Sequence, residues 1–150
     1  MAVISLAIRT FTRMDGTVEL ESLLSSLVPQ MPEVDYVFCS VPGTLGDYAG
    51  LEPVTTVRET EGLTLVLPVA VAVRENFRFN GTYRQITLTV HSSLEAVGLT
   101  AAISSELASN DIPANVVAGY YHDHIYVPSG KAEKALHLLQ ALSINSAVVK

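Results

Sequence analysis

A chain of 150 residues, 49% apolar and 16% charged, carries enough hydrophobic material for one ordinary domain or two small units sharing an interface, and is not a disordered polymer. Its formal net charge of −6 argues against a nucleic-acid partner, whose phosphates would be repelled. Its single cysteine, Cys39, rules out an intrachain disulfide and a cysteine-based zinc site.

At the N-terminus, the apolar run Val3–Ile8 has no preceding basic residue and is shorter than a secretory signal. The longest apolar stretch, Leu63–Val73, is about half of the ~20 residues needed to span a bilayer. A cytoplasmic location without membrane association is therefore the expectation. Residues 1–16 read as an extension. Thr17 is placed to cap a helix with the stripe Leu20, Leu23, Leu24 and Leu27, ending near Pro29 and Pro32. Asp35–Val41 reads as a strand, and the three glycines between Pro42 and Gly50 read as a loop, mobile or functional. Val54–Glu59 and Leu63–Leu67 form a hairpin turning at Glu61-Gly62. Pro68–Phe77 alternates like a strand, yet Pro68 suits a first helical turn, and a helix is the assignment made. The Asn80-Gly81 turn then divides residues 17–82 from residues 83–150.

The second half is patterned more clearly. In Gln85–His91, Ile86, Leu88 and Val90 alternate with polar residues, as in a half-buried strand. A polar segment leads to Gly98, after which Leu99, Ala102, Ile103 and Leu107 recur at helical spacing until Asn110-Asp111 and Pro113. Asn115–Tyr121 is a strand, His122-Asp123 a tight turn, and His124–Val127 the returning strand. One of the pair Tyr120 and Tyr121 is expected inside and the other on the surface. Ser129 would cap a helix through Ala132, Ala135, Leu136, Leu139 and Leu142, with Ile144–Val149 as a short final strand. Strand, helix, strand, strand, helix, strand is the α+β, ferredoxin-like βαββαβ arrangement, with helices on one face of an antiparallel sheet.

The stretch ITLTVHSSLEAVGLTAAISSELASNDIPANVVAGYYHDHIYVP resembles the C-terminal module of small tandem ACT-domain proteins. DYVFCSVPG, LEPVTTVRE and EGLTLVLP resemble their N-terminal module, so the likeness spans roughly residues 17–142. It implies two tandem ACT-type sandwiches and a non-catalytic regulatory role, with an amino acid or similar small effector bound where modules meet. It also implies that the effector loop is the strand–loop–glycine–helix segment around Ser92–Thr100. The physics agrees: a helix start exposes backbone N–H groups and partial positive charge suited to a carboxylate. The candidate ligand-binding residues are Ser92, Ser93, Glu95, Val97, Gly98, Leu99 and Asn115. Glu95 could meet an α-ammonium group, and Asn115 offers an amide with donor and acceptor. The plainer alternative makes this a capped loop with Gly98 as a packing glycine.

No catalytic residue, cofactor or metal is assigned. His122, Asp123 and His124 supply too few ligands for a closed metal site without a third group, such as His91. Cys39 in an apolar strand lacks an activating base, and the loop glycines do not match a phosphate-binding fingerprint. An open sheet leaves a face and edges uncovered, so a homo-oligomer, dimer or higher, is expected. The alternative function is an interaction module that oligomerises without a ligand.

Overall fold

The computed structural model describes residues 20–89 and 97–148. Ser92, Ser93 and Glu95 lie outside the described residues. The chain folds as two ferredoxin-like α+β units in tandem whose strands join in one antiparallel sheet.

The first helix, α1 (Leu20–Ser25), is followed by a two-residue strand β1 (Pro29–Gln30) and by β2 (Asp35–Val41). Both strands run along the same edge of β5 (Tyr83–Leu88). Pro29 and Gln30 face Leu88 and Thr87, while Asp35 and Tyr36 face Arg84 and Tyr83. Between them Met31–Val34 bulges out at Pro32, which cannot donate to a ladder. The Pro32 carbonyl instead accepts from Arg84 Nε (3.2 Å) and Nη2 (2.8 Å).

The glycine-containing loop is folded rather than irregular. It forms α2 (Leu45–Tyr48) and a 3₁₀ turn at Ala49–Leu51. The Thr44 backbone N–H and hydroxyl both donate to Asp47 Oδ2, at 2.8 and 2.9 Å, which holds that carboxyl below its ordinary pKa. Strands β3 (Thr55–Arg58) and β4 (Leu63–Pro68) form the expected hairpin, and α3 (Val69–Arg74) is helical despite its valines. Pro68 ends the strand where the helix begins, and Ala72 packs on Val37 and Cys39. Burial there raises the Cys39 thiol pKa.

Helix α4 (Leu99–Ala108) closes with Asp111 in the left-handed region (φ 57°) and an Ile112 N–H to Leu107 carbonyl bond of 3.0 Å. Strands β6 (Asn115–Ala118) and β7 (Asp123–Pro128) turn at Gly119–His122, three residues earlier than the expected His122-Asp123 turn. Gly119 donates to the His122 carbonyl at 2.9 Å, and a Cβ there would stand 2.7 Å from that oxygen. Tyr120 and Tyr121 are consequently both on the tip, 63% and 56% exposed, so neither is the inside residue of a strand. Ser129 belongs to a 3₁₀ turn (Ser129–Lys131), and its hydroxyl donates to Asp35 Oδ1 at 2.7 Å instead of capping the helix. Helix α5 (Ala132–Val148) runs through the segment expected as a final strand, because an established helix adds residues at little further cost.

The sheet order is β3-β4-β2-β5-β7-β6. On its convex face, Ile86, Leu88, Ile125 and Val127 meet Leu99, Ile103 and Leu107 of α4 and Ala135 and Leu139 of α5. Leu23, Leu24 and Leu27 enter this same core. The N-terminal helix therefore packs on the helices of the second half and not over the strands of its own.

Among the described residues no helix covers the other face, yet Tyr126 and Val66 on it are fully buried. Tyr126 on β7 reaches Thr55 on β3 with an Oη to Oγ1 distance of 3.4 Å. Four strand spacings, about 19 Å, separate these strands in a flat sheet, so the sheet curls until its two halves touch. Tyr36, Phe38, Tyr83 and Tyr126 fill the concavity, with ring centroids 5.2–6.0 Å apart and interplanar angles of 76–84°. Beside them, His124 Nδ1 lies 3.0 Å from both Gln85 Nε2 and Thr87 Oγ1. Burial first, then the neighbouring His122, lowers the His124 pKa, with Asp123 opposing.

Three outcomes follow from this packing. Leu23→Ala should destabilise the protein by about 2–5 kcal/mol, as measured by urea unfolding, although Leu23 lies in a six-residue helix. Tyr126→Ala should lower the unfolding midpoint while keeping one transition, because the two halves share a core; two resolved transitions would contradict this. His124 is disfavoured as a cation in the fold, so the unfolded chain binds more protons once pH falls below the ordinary value of 6.5. Stability should therefore decline as pH drops through that value, and His124→Gln should flatten the decline.

Candidate functional site

The candidate loop leads into α4, whose structure is described from Val97 onward. Gly98 stands at the N-cap with φ 100° and ψ −20°, a backbone state that disfavours residues with a Cβ. A Cβ at Gly98 would also lie 3.3 Å from Leu20 Cδ2 of α1. The packing role and the cap role thus belong to the same glycine. Its carbonyl accepts the first helical bond, from the Ala102 N–H at 2.9 Å. The N–H groups of Leu99, Thr100 and Ala101 precede that bond and have no acceptor inside the helix. Thr100 and Ala101 are exposed and Val97 is 83% exposed, so this turn opens to solvent.

The remaining expected residues divide. Leu99 is buried in the core with Ile103, so it can offer a ligand only its backbone. Asn115 faces Tyr126 in the β6–β7 ladder and donates to the Tyr126 carbonyl at 3.4 Å. That register puts it on the concave side, with Val117, whereas α4 covers the convex side. Gly98 and Leu99 are consecutive and meet at the helix start; Asn115 is set apart from them.

At this turn the chain presents backbone N–H groups and little side-chain chemistry. Among the described residues no acid and no base stands in the first turn of α4. In the His122-Asp123-His124 segment, Nδ1 of His124 is already engaged by Gln85 and Thr87. Asp123 is held above its ordinary pKa, chiefly by burial, which disfavours its charged form. No group of three or more His, Cys, Asp or Glu side chains converges among the described residues. No described helix is long and apolar enough to cross a membrane.

Sequence reasoning missed a cavity on the concave face. Phe38, Cys39, Ser40, Val57, Glu59 and Thr64 line a cavity of about 360 Å³ there, beside the aromatic rings. Each residue type is ordinary for a strand, and only the strand pairing brings them together. The alternation of Phe38 and Ser40 with the core residues Val37, Cys39 and Val41 was the available signal.

Comparison with known proteins comes at three levels. ACT-domain family profiles match residues 15–84 and residues 81–141. No curated protein matches the chain. Among solved structures, a Vibrio cholerae protein described as of unknown function, possibly a transport protein, is 52% identical, with a TM-score of 0.77 over 83% of this chain and 95% of that one. An Agrobacterium tumefaciens protein is 20% identical, with a TM-score of 0.65 over 78% of this chain and 89% of its own. The regulatory subunit of aspartate kinase from Thermus thermophilus shares the fold at 8% identity, with a TM-score of 0.54 over 78% and 98% of the two chains. Two adjoining profile matches, which together span residues 15–141, place this chain in the ACT-domain family, as a tandem pair of ACT domains.

Proposed function

We propose that the chain is a non-catalytic sensor whose second ACT unit binds a small carboxylate-bearing effector, an amino acid or close relative, at the start of α4. The observation that carries this reading is the left-handed Gly98 N-cap opening the first turn of α4 to solvent. Backbone N–H groups at that turn suit a carboxylate. Ser92 and Ser93 offer hydroxyls, Glu95 would meet the ammonium group, and Val97 would lie against the effector's apolar part. Gly98 and Leu99 contribute backbone alone, and Asn115, on the other face of the sheet, would reach the effector only from a second copy. Membership in a family of regulatory domains supports the reading, as does the fold shared with aspartate kinase regulatory subunits.

The division assigns residues 17–82 to a supporting unit and residues 83–150 to the sensing unit, in a cytoplasmic protein. Strands β3 and β6 form the two edges of the sheet, and exposed edges of this kind favour a homo-oligomer. Leu20 seated on Gly98 links the two units at the site, so effector binding would be felt by α1.

A thermal-shift screen of the twenty amino acids tests the reading. One or a few should stabilise the protein by about 2.7 kcal/mol at a hundredfold excess over the dissociation constant. Thr100 is exposed, and an acidic residue suits a first helical turn. Thr100→Glu should therefore fold normally yet reduce that stabilisation by repelling the carboxylate. Gly98→Ala is the poorer probe, because its backbone state and Leu20 would strain the fold itself. A flat response to every amino acid would contradict the proposal.

A further inference from the structure

The concave face holds a second candidate site, independent of the α4 turn. Curling of the sheet makes a trough, and the four aromatic rings fill only the part of it over β2, β5 and β7. Over β2, β3 and β4 the trough stays open as the cavity of about 360 Å³, within the range of small-molecule sites. Pairing of Ser40 with Thr64, and of Thr64 with Val57, puts these side chains on one side.

The lining is asymmetric in charge. Phe38 and Val57 supply apolar walls, Val57 being 48% exposed. Glu59 supplies a carboxylate, and the Thr64 hydroxyl donates to its Oε2, which orients the group. Ser40 adds a hydroxyl. Among the described residues no basic side chain lines the cavity, and the base nearest to Glu59 in sequence, Arg58, pairs with Leu63 on the convex side. A ligand carboxylate would therefore meet Glu59 with nothing to neutralise it, whereas a ligand ammonium would gain a charge-assisted hydrogen bond.

We propose that this cavity binds a small primary ammonium compound with an apolar body, and discriminates against the zwitterionic amino acid of the same side chain. Phenethylamine, phenylalanine and the uncharged 2-phenylethanol are the probes, read by amide chemical shifts of the full-length protein. Phenethylamine should give saturable shifts at Ser40, Val57, Glu59 and Thr64, with the other two probes binding at least about tenfold more weakly, a difference near 1.4 kcal/mol. Glu59→Gln should weaken phenethylamine about tenfold, and Val57→Trp should abolish its binding by filling the cavity; both residues are exposed, so both variants should fold. Absence of saturable shifts at these residues, shifts confined to Leu99–Ala101, equal binding of phenylalanine, or unchanged affinity in Glu59→Gln would each overturn the assignment.

Discussion

The short ladder between β2 and β5 is the contact on which the rest of the molecule depends. It has only two residue pairs, Asp35 with Arg84 and Tyr36 with Tyr83, yet it makes two ferredoxin-like sheets into one. Its neighbours reinforce it from side chains: Ser129 holds Asp35, Arg84 holds the Pro32 carbonyl, and Phe38 stacks edge-on with Tyr83. Once the strands are joined, the right-handed twist of each half accumulates across the seam. The curl that results brings Tyr126 to Thr55 and buries a tyrosine on a face that no described helix covers. A face that would otherwise be free for a partner is partly consumed inside the chain.

Helix α1 makes the same point from the convex side. It belongs to the first half of the sequence, but its leucines complete the core of the second. Gly98 is the place where the two arrangements meet. Its left-handed backbone begins α4, and its missing side chain lets Leu20 approach. The helix start that suits an anion is thus in van der Waals contact with the element that joins the units. That proximity would carry the proposed occupancy of the turn to the rest of the protein without a separate signalling segment.

Local pattern made much of this legible. The alternation through Ile86 and Leu88, the stripe from Leu99 to Leu107, and the strand Asp35–Val41 followed from period and turn chemistry. Pro68 correctly marked α3 among residues that favour strands. What failed was decided by partners distant in sequence. The Met31–Val34 bulge depends on β5, and the β6–β7 turn depends on Gly119, which alone fits against the His122 carbonyl. The valines and isoleucine after Leu142 looked like a strand because propensity ignores the helix already running into them. At the candidate site, Gly98 and the helix start were readable from the sequence. That Leu99 points into the core followed from its own stripe, but the separation of Asn115 onto the concave side needed the ladder to Tyr126. The cavity at Glu59 was invisible because register, not composition, assembles it.

In the proposed sensor, the first turn of α4 would receive the carboxylate of an effector. Hydrogen exchange at single amides addresses it most directly, because Leu99, Thr100 and Ala101 have no acceptor inside the helix. In an equimolar mixture of the twenty amino acids, these three amides should be protected by more than the general stabilisation of the fold, for which the amides of the core strand β4 are the reference. Unchanged exchange at all three, with the protein folded, would contradict the account.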